Sequence, residues 1–493
     1  MSCGTITLHQ QGSGLFVHAE RPHVDDLLLK MRLTDRVSPV LLDFTRWLQA
    51  YGETSWDHQS FFAGPSGRLA KSLYYRTRLM GTAAVAPMIF LEAFVPGGRR
   101  LFHHPIRFPI ADAHYAMGFA FLYEATSEGK YLERAIHFLH ELKKSRSPDF
   151  EEYCWGYPFD WVWRGGIIEK QTPLITTTPY CYEAFLQVAE LLRQRPKITD
   201  QRSEGRGLMT DDRFERTDFG QPSGPSALNH QASTFDNPKD LLKIVESIAR
   251  HAAYDIKAFR TSVTASSCSY TPFDEGGVIN AAAYRAFLLT STSQNLSNDD
   301  YRKMAERNLN FVLENQNADG SWFYAVDGVR DFVDHYHTCF VMKALAKIHS
   351  LTGHEATLKA LEKGVDYYLN NLFAEDGLPK PFSKAPRLTV YKRELYDCAE
   401  CINLCLLLRA RFPKLSEKLA TVVRGILKDW VKPDGSFRSR RLHFGWDNVP
   451  MHRWGQSQMF RALAFYLVEE KKAEKLKSEK LNFNGRRAEA LST

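Results

Sequence analysis

A two-helix unit that recurs along the chain constrains its fold more than any other feature. Segments with one apolar and one charged face begin at Thr126, Ser297 and Thr352. In each of them apolar residues occur at i, i+3, i+4 and i+7, the pattern of a helix packed on one side. Two further copies begin at Asn237 and Lys414. The repetition predicts a chain that stacks one helical hairpin several times.

Between the amphipathic helices lie segments that are poor in charge and rich in small residues. Helices that are apolar nearly all round are expected to be buried on most sides. Six such segments occur, at residues 111–125, 179–192, 278–291, 337–350, 397–410 and 452–467. Six buried helices alternating with amphipathic ones predict an all-α (α/α)6 toroid, a six-hairpin barrel with an inner and an outer ring. We expect the sixth outer helix to come from the stretch Leu69 to Phe94.

The loops support this architecture. Three outer helices lead into Asp-Gly pairs at Gly320, Gly377 and Gly435, and this dipeptide supplies the positive φ of a tight turn. Short aromatic, β-like stretches follow, and we expect them at one mouth of the ring. The predicted divisions are an N-terminal extension (1–65), the toroid (66–470), a polar insert within it at about 197–236 and a basic tail (471–493). We expect the insert to be disordered or to form a lid.

Composition and charge indicate in which compartment of the cell the protein is expected. Hydrophobic residues make up 44% and charged residues 25% of the 493 residues, as in ordinary globular proteins. The N-terminus lacks the basic and apolar regions of a secretory signal, and no run of about 18 uncharged apolar residues occurs. We therefore expect a cytoplasmic protein without a membrane span. The net charge of +7 lies partly in the tail, and no nucleic-acid motif accompanies it.

Two resemblances follow from these segments. The sequence FVLENQNADGSW, from Phe311, resembles the Gln–Trp element of squalene cyclase and prenyltransferase repeats, in which the Gln ties one helix end to the next turn. From about Leu69 to Leu467 the arrangement resembles six-hairpin carbohydrate enzymes: N-acylglucosamine 2-epimerases, unsaturated glucuronyl hydrolases and toroid polysaccharide lyases. The resemblance implies a saccharide substrate. Toroids also include lanthionine cyclases and protein prenyltransferases, so the fold alone does not fix the chemistry.

The starts of the inner helices are where catalytic groups are expected, because they bring polar groups and positive helix ends to one mouth. One start carries Asp334, His335, Tyr336 and His337 together. His and Tyr are suited to act as base and acid when a proton leaves a sugar carbon, and a neighbouring carboxylate fixes the tautomer of a His. The alternative is that these residues cap the helix and form structural hydrogen bonds.

A second catalytic candidate is the acidic pair Asp274 and Glu275, which precedes two glycines at the third inner helix. One of these acids is a candidate general acid, and helix capping is the alternative. Substrate-binding candidates are aromatic, His and Arg side chains at the other starts, since flat rings stack on sugars and Arg clamps a carboxylate. They are Trp155, Tyr157, Trp161, Arg164, Tyr180, His452, Arg453, Trp454, Arg393 and His114.

No metal or cofactor is expected. Cys398 and Cys401 form a C-x-x-C motif, and Cys405 follows one helical turn later. Because no second pair of ligands accompanies them, we expect these residues to be small buried thiols and not metal ligands.

The sequence thus predicts an enzyme acting on a uronic-acid or N-acetylated sugar in polysaccharide biosynthesis or processing, an epimerase or lyase with His/Tyr proton transfer. Alternatives are a glycoside hydrolase with paired acids, a terpene-cyclase-like enzyme, which the absence of a DxDD motif weakens, and a non-catalytic saccharide-binding scaffold. The basic surface is compatible with an anionic saccharide as partner. A homo-oligomer or a partner in a biosynthetic complex is compatible with the same sequence.

Overall fold

The computed structural model describes residues 32–194, 237–386 and 389–490, with side chains described up to residue 479. The insert predicted at 197–236 lies outside the described residues. The helices are α1 Leu33–Tyr51, α2 Ser60–Ala63, α3 Pro65–Arg76, α4 Arg78–Phe94, α5 Pro109–Thr126, α6 Gly129–Lys144, α7 Thr178–Gln194, α8 Pro238–Arg250, α9 Ile279–Leu296, α10 Asp299–Glu314, α11 His335–Thr352, α12 Glu355–Asn371, α13 Leu395–Leu408, α14 Lys414–Gly425 and α15 Ser457–Ala490.

The predicted low-charge segments form the inner ring. Helices α5, α7, α9, α11, α13 and α15 pack in this order, and α15 returns to α5, so the ring is closed. Each inner helix carries an outer partner: α6, α8, α10, α12, α14 and α1 respectively. In α9 every residue from Ile279 to Ser293 is buried, whereas α10 buries one face. This burial difference confirms the predicted all-α toroid.

The sixth outer helix is α1, so its prediction from Leu69 to Phe94 is wrong. Helix α1 buries Val37, Leu41 and Phe44 along one face and packs on α15. Helices α3 and α4, which the prediction had used, pack on each other around a small separate core. The ring therefore begins earlier in the chain than expected.

The hairpin of α3 and α4 is tied to the mouth by buried ion pairs. Glu92 at the end of α4 pairs with Arg440, and Arg99, in the turn that follows, contacts Asp447 at 2.5 Å. None of these four side chains is more than a tenth exposed. The hairpin is thus fixed against the loop that precedes α15.

Three Asp-Gly turns connect outer helices to the mouth loops, as predicted. Gly320, Gly377 and Gly435 have φ of 92°, 75° and 87°. In the first turn Gln316 donates from Nε2 to the carbonyls of Gly320, at 3.0 Å, and Ala360, at 2.9 Å. The side chain thereby joins the end of α10 to its own turn and to the next outer helix.

Short antiparallel strands occupy the long connections that precede the inner helices, as the β-like stretches predicted. They are β1 Trp161–Trp163 with β2 Gly166–Ile168, β3 Ala258–Arg260 with β4 Ser266–Cys268, β5 Val333–Asp334 with β6 Phe382–Lys384, and the sheet β7 Tyr391–Glu394, β8 Arg440–Leu442 and β9 Trp446–Asp447. These strands hold the loops of one mouth in place. In the described residues, no helix has the length and apolarity needed to span a membrane.

Candidate active site at the inner-helix mouth

An Asp–His pair stands at the first turn of α11. Asp334 is buried and caps the helix, since its Oδ1 accepts the backbone N–H of His337 at 2.8 Å. Its Oδ2 lies 2.6 Å from His337 Nδ1. Because a carboxylate only accepts, Nδ1 carries a proton, so the neutral imidazole has its lone pair on Nε2. The His337 side chain is 20% exposed, so this lone pair belongs to a group that solvent reaches.

Half-buried aromatic rings lie around the His337 imidazole. The ring centroids of Tyr324 and Tyr336 are 4.6 and 4.4 Å from the imidazole. Tyr336 packs in turn on Tyr396 at 5.2 Å and on Trp454 at 5.8 Å. These rings come from the starts of α11 and α13, from the turn before α15 and from the loop before α11. They give the mouth large flat apolar faces.

The tyrosines of this group keep their protons at neutral pH. Burial raises the pKa of Tyr336 and of Tyr396 well above the usual value of 10. The nearby Asp334 carboxylate adds to the effect on Tyr336. A phenol in this state donates a hydrogen bond or a proton but does not act as a base.

A second buried acid, Asp397, lies near enough to Asp334 for the two carboxyls to repel each other. Asp397 is fully buried, and neither carboxyl oxygen has a hydrogen-bond partner among the described residues. Burial raises its pKa well above the usual range, and Glu394 and Asp334 reinforce this by repulsion. Glu394 is itself paired with Arg440, which also binds Glu92. Burial and these neighbouring carboxylates thus both favour the neutral form of Asp397.

His335 is directed away from this group, contrary to the prediction that it shares the site. Its Nδ1 lies 3.2 Å from the carbonyl of Leu372, and its Nε2 lies 2.9 Å from the hydroxyl of Tyr368 in α12. Both ring nitrogens of His335 thus make hydrogen bonds that join the inner ring to the outer ring.

His452 and Arg453 are also held by structural contacts rather than left free for a ligand. His452 contacts the Tyr115 hydroxyl at 2.5 Å and the Gly52 carbonyl at 3.1 Å. Arg453 is 3% exposed and donates to Asp57 at 2.6 Å, so its charge is compensated. Trp454, in contrast, faces the aromatic group of the mouth.

The predicted aromatic hairpin is divided between core and mouth. Trp155 is fully buried and donates from Nε1 to the Leu142 carbonyl at 2.8 Å, so it is a core residue and not a sugar-stacking one. Tyr157 and Trp161 are half-buried and lie edge to face at 5.7 Å. Arg164 is exposed in the turn between β1 and β2.

The acidic pair before α9 does not form a catalytic dyad. Asp274 accepts four hydrogen bonds, from the amides of Tyr270, Thr271 and Gly276 and from the Thr271 hydroxyl. It therefore closes its own loop. Glu275 is exposed.

The remaining predicted binding residues lie elsewhere. Tyr180 is buried below the mouth, where its hydroxyl meets that of Tyr284 at 2.6 Å and its ring contacts His114 at 4.6 Å. Arg393 binds Asp376 and the Pro379 carbonyl at the surface. Tyr180 and His114 thus form a floor beneath the mouth, and Arg393 braces a loop.

Three charged side chains inside the ring are not among the predicted site residues. Lys343 and Lys347 lie in α11 and Arg461 in α15, in segments selected for their low charge. The sequence carried a signal for them, because a cation within an otherwise apolar helix requires a buried partner.

Among the described residues, no group of three or more His, Cys, Asp or Glu side chains is placed to hold a metal ion. Cys398, Cys401 and Cys405 are buried thiols of α13.

No protein-family model matches the chain, and no curated protein sequence matches it. Solved structures do match. Cellobiose 2-epimerase from Bacillus thermoamylovorans B4167 aligns with a TM-score of 0.51 at 7% identity, over 74% of this chain and 88% of that chain. An unsaturated glucuronyl hydrolase specific for heparin aligns with a TM-score of 0.54 at 10% identity, over 90% of this chain and 98% of that chain. The unsaturated glucuronyl hydrolase from Bacillus sp. GL1 aligns with a TM-score of 0.52 at 10% identity, over 88% of this chain and 96% of that chain. The chain therefore has the (α/α)6 toroid fold of these carbohydrate-active enzymes, as its sequence predicted.

Proposed function

We propose that the protein is a carbohydrate-active enzyme that transfers a proton at a sugar carbon, with His337 as the base. One observation carries the proposal. A solvent-reached imidazole has its Nδ1 bound to the buried Asp334 carboxylate and stands among half-buried aromatic rings at the mouth of a toroid. The sugar would stack on these rings, and the free Nε2 would take the proton.

The proposed reaction is epimerisation or β-elimination on a uronic-acid or N-acetylated sugar. Both start when a base removes a proton from a carbon next to a carbonyl or carboxylate group. The protonated phenol of Tyr336 is positioned beside His337 to donate to the oxygen that gains charge. In epimerisation solvent or an acid on the opposite face then returns a proton to the carbon. In β-elimination the electron pair of the broken C–H bond forms the double bond, and the neighbouring oxygen substituent leaves with the C–O bonding pair and takes up a proton.

Glycoside hydrolysis is the second candidate, and Asp397 is the observation that favours it. A neutral carboxyl beside a carboxylate is the arrangement in which one acid protonates a leaving oxygen. This role belongs to Asp397 with Asp334, since Asp274 closes its loop and Glu275 is exposed.

A panel of uronate and hexosamine oligosaccharides, followed by NMR, tests the proposal. Epimerised or unsaturated products that vanish in the His337→Gln variant support proton transfer at carbon. His349→Gln is the matched control, because His349 lies at the far end of the same helix. Hydrolysis that persists in His337→Gln but is lost in Asp397→Asn would replace the proposal by the second candidate. The absence of both binding and turnover across the panel would contradict both.

A further inference from the structure

A cavity of about 250 Å³ lies in the centre of the ring, beyond the floor of the mouth. It is set among the middle and C-terminal parts of the inner helices, and Lys343 at its inner end stands 5.5 Å from the Tyr180 ring of the floor. All six inner helices contribute to its wall, through Met117, Glu183, Phe287, Lys343, Asn403 and Arg461. The cavity is therefore separate from the group around His337.

Three cationic side chains lie in the wall of this cavity. Lys343 is 4% exposed and is paired with the buried Glu400. Lys347 is paired with Glu183, and Arg461 lies 3.9 Å from the same carboxylate. Lys343 and Lys347 thus each contact a carboxylate closely, whereas Arg461 shares the Glu183 carboxylate with Lys347 at a longer distance.

The cations of the wall also affect the pKa of neighbouring groups. Burial lowers the pKa of His114 far below its usual value, and Arg461, Lys343 and Lys347 act in the same direction. Burial also lowers the pKa of Lys347 to about 8. The further carboxylate of the wall, Glu190, is at the exposed rim, where solvent screens it.

Two buried polar groups of the wall lack partners. Asn403 is 2% exposed, and neither its amide oxygen nor its amide nitrogen is hydrogen-bonded within the described residues. Arg461 is 7% exposed, and its Nε likewise has none there. Leaving buried donors and acceptors unpaired is costly, so a ligand that pairs them would be stabilised.

The other side of the cavity is apolar. The rings of Phe121 and Phe465 are stacked at 4.8 Å, and the Lys347 ammonium lies 4.6 Å from the centre of the Phe287 ring. A ligand that fills the space must therefore combine one negative charge with a flat apolar face.

We propose that this central cavity is a second binding site, for a small organic carboxylate with an apolar face. The carboxylate would bind Arg461 and the Asn403 amide, and its ring or chain would lie against Phe121 and Phe465. The site is distinct from the mouth and does not depend on the function proposed for His337.

Isothermal titration calorimetry on the full chain tests the site with benzoate, its neutral analogue benzamide, and glucuronate. Benzoate should bind at least tenfold more tightly than benzamide. Arg461→Gln should weaken benzoate binding at least tenfold, and Arg409→Gln should not, since Arg409 pairs with Glu470 outside the cavity. Asn403→Leu, which keeps the number and branching of the side-chain atoms but removes the amide, should weaken binding in a chain that melts as the wild type does.

The result for glucuronate identifies the source of the acid: tighter binding than benzoate indicates a sugar acid, and weaker binding indicates an apolar one. Either result supports a carboxylate site. Benzamide binding as tightly as benzoate would overturn the proposal. Unchanged benzoate affinity in both Arg461→Gln and Asn403→Leu would overturn it too. Loss of benzoate binding in His337→Gln would place the ligand at the mouth and would also contradict it.

Discussion

Asp334 holds His337 by two bonds at once, through its Oδ1 to the backbone amide at 2.8 Å and through its Oδ2 to the imidazole Nδ1 at 2.6 Å. The first bond caps α11, and the second fixes the tautomer of the imidazole. The position of the proposed base is therefore set by the geometry of a helix start, which varies little. One carboxylate serves both stability and reactivity.

Replacing this carboxylate by an amide separates the two roles. In Asp334→Asn the oxygen can still cap the helix, but the Nδ2 donor would favour the opposite tautomer, with the proton on Nε2. We expect turnover to fall by about 10²- to 10⁴-fold with little change in melting temperature. Asp319→Asn, in an Asp-Gly turn, is the control and should retain activity. Wild-type turnover in Asp334→Asn would show that the carboxylate does not orient the base.

The buried arginine of the mouth should contribute strongly to stability. Arg440 is 3% exposed and binds both Glu92 and Glu394. Arg440→Met leaves two buried carboxylates unpaired, and we expect a loss of about 3–5 kcal/mol in the free energy of unfolding by urea. The loss should shrink at acidic pH as Glu394, whose pKa burial raises, becomes protonated.

Arg438→Met provides the comparison, because Arg438 is only half-buried and binds Asn448 at 3.0 Å. It should cost less than about 0.5 kcal/mol. Equal losses in the two variants would show that the ion pairs of Arg440 are not what stabilises the mouth.

Closure of the ring by α1 can be tested at Gly435. A Cβ at this position would lie 2.7 Å from the Asp43 carbonyl in α1, and the backbone has a positive φ of 87°. Gly328 also has a positive φ, of 69°, but a Cβ there meets nothing within 4 Å. Gly435→Ala should therefore lower the unfolding free energy by about 1–3 kcal/mol more than Gly328→Ala does. Equal losses would show that α1 is not packed there.

His452 should make stability depend on pH. Burial lowers its pKa to about 4, from the usual 6.5, although the Gly52 carbonyl acts in the opposite direction. Between these values the unfolded chain binds a proton that the folded chain does not, so stability falls as pH drops from 6.5 to 4. Urea titrations of His452→Gln across this window should show a slope smaller by about one proton.

The ring could be predicted from sequence because burial leaves a periodic pattern. An inner helix is apolar nearly all round and an outer one on a single face, and both patterns are local. Its closure could not be predicted, since the contact of α1 with α15 joins residues about 400 positions apart. The apolar face of Val37, Leu41 and Phe44 indicates that α1 is packed, but not against which helix.

The sequence could predict at which helix starts the candidate site lies, but not which side chains face it. Loops precede helix starts, so His335 and His337 were placed correctly at the mouth end of α11. Two residues apart on a helix differ by about 200° in direction, and this sends His335 toward Tyr368 and His337 toward Tyr324. Which of them faces the mouth depends on how the helix is rotated in the ring, and this depends on packing with distant helices.

Proton exchange with solvent tests the central claim most directly. In D2O, an enzyme that removes a proton from a sugar carbon and returns one should introduce deuterium at that carbon of its substrate, which NMR detects. We predict that the wild type and His349→Gln either incorporate deuterium, if the reaction is epimerisation, or release an unsaturated sugar, if it is β-elimination, and that His337→Gln loses at least about 100-fold of that activity. Turnover of a sugar with neither deuterium at carbon nor an unsaturated product, or a product that forms as fast in His337→Gln, would contradict the account.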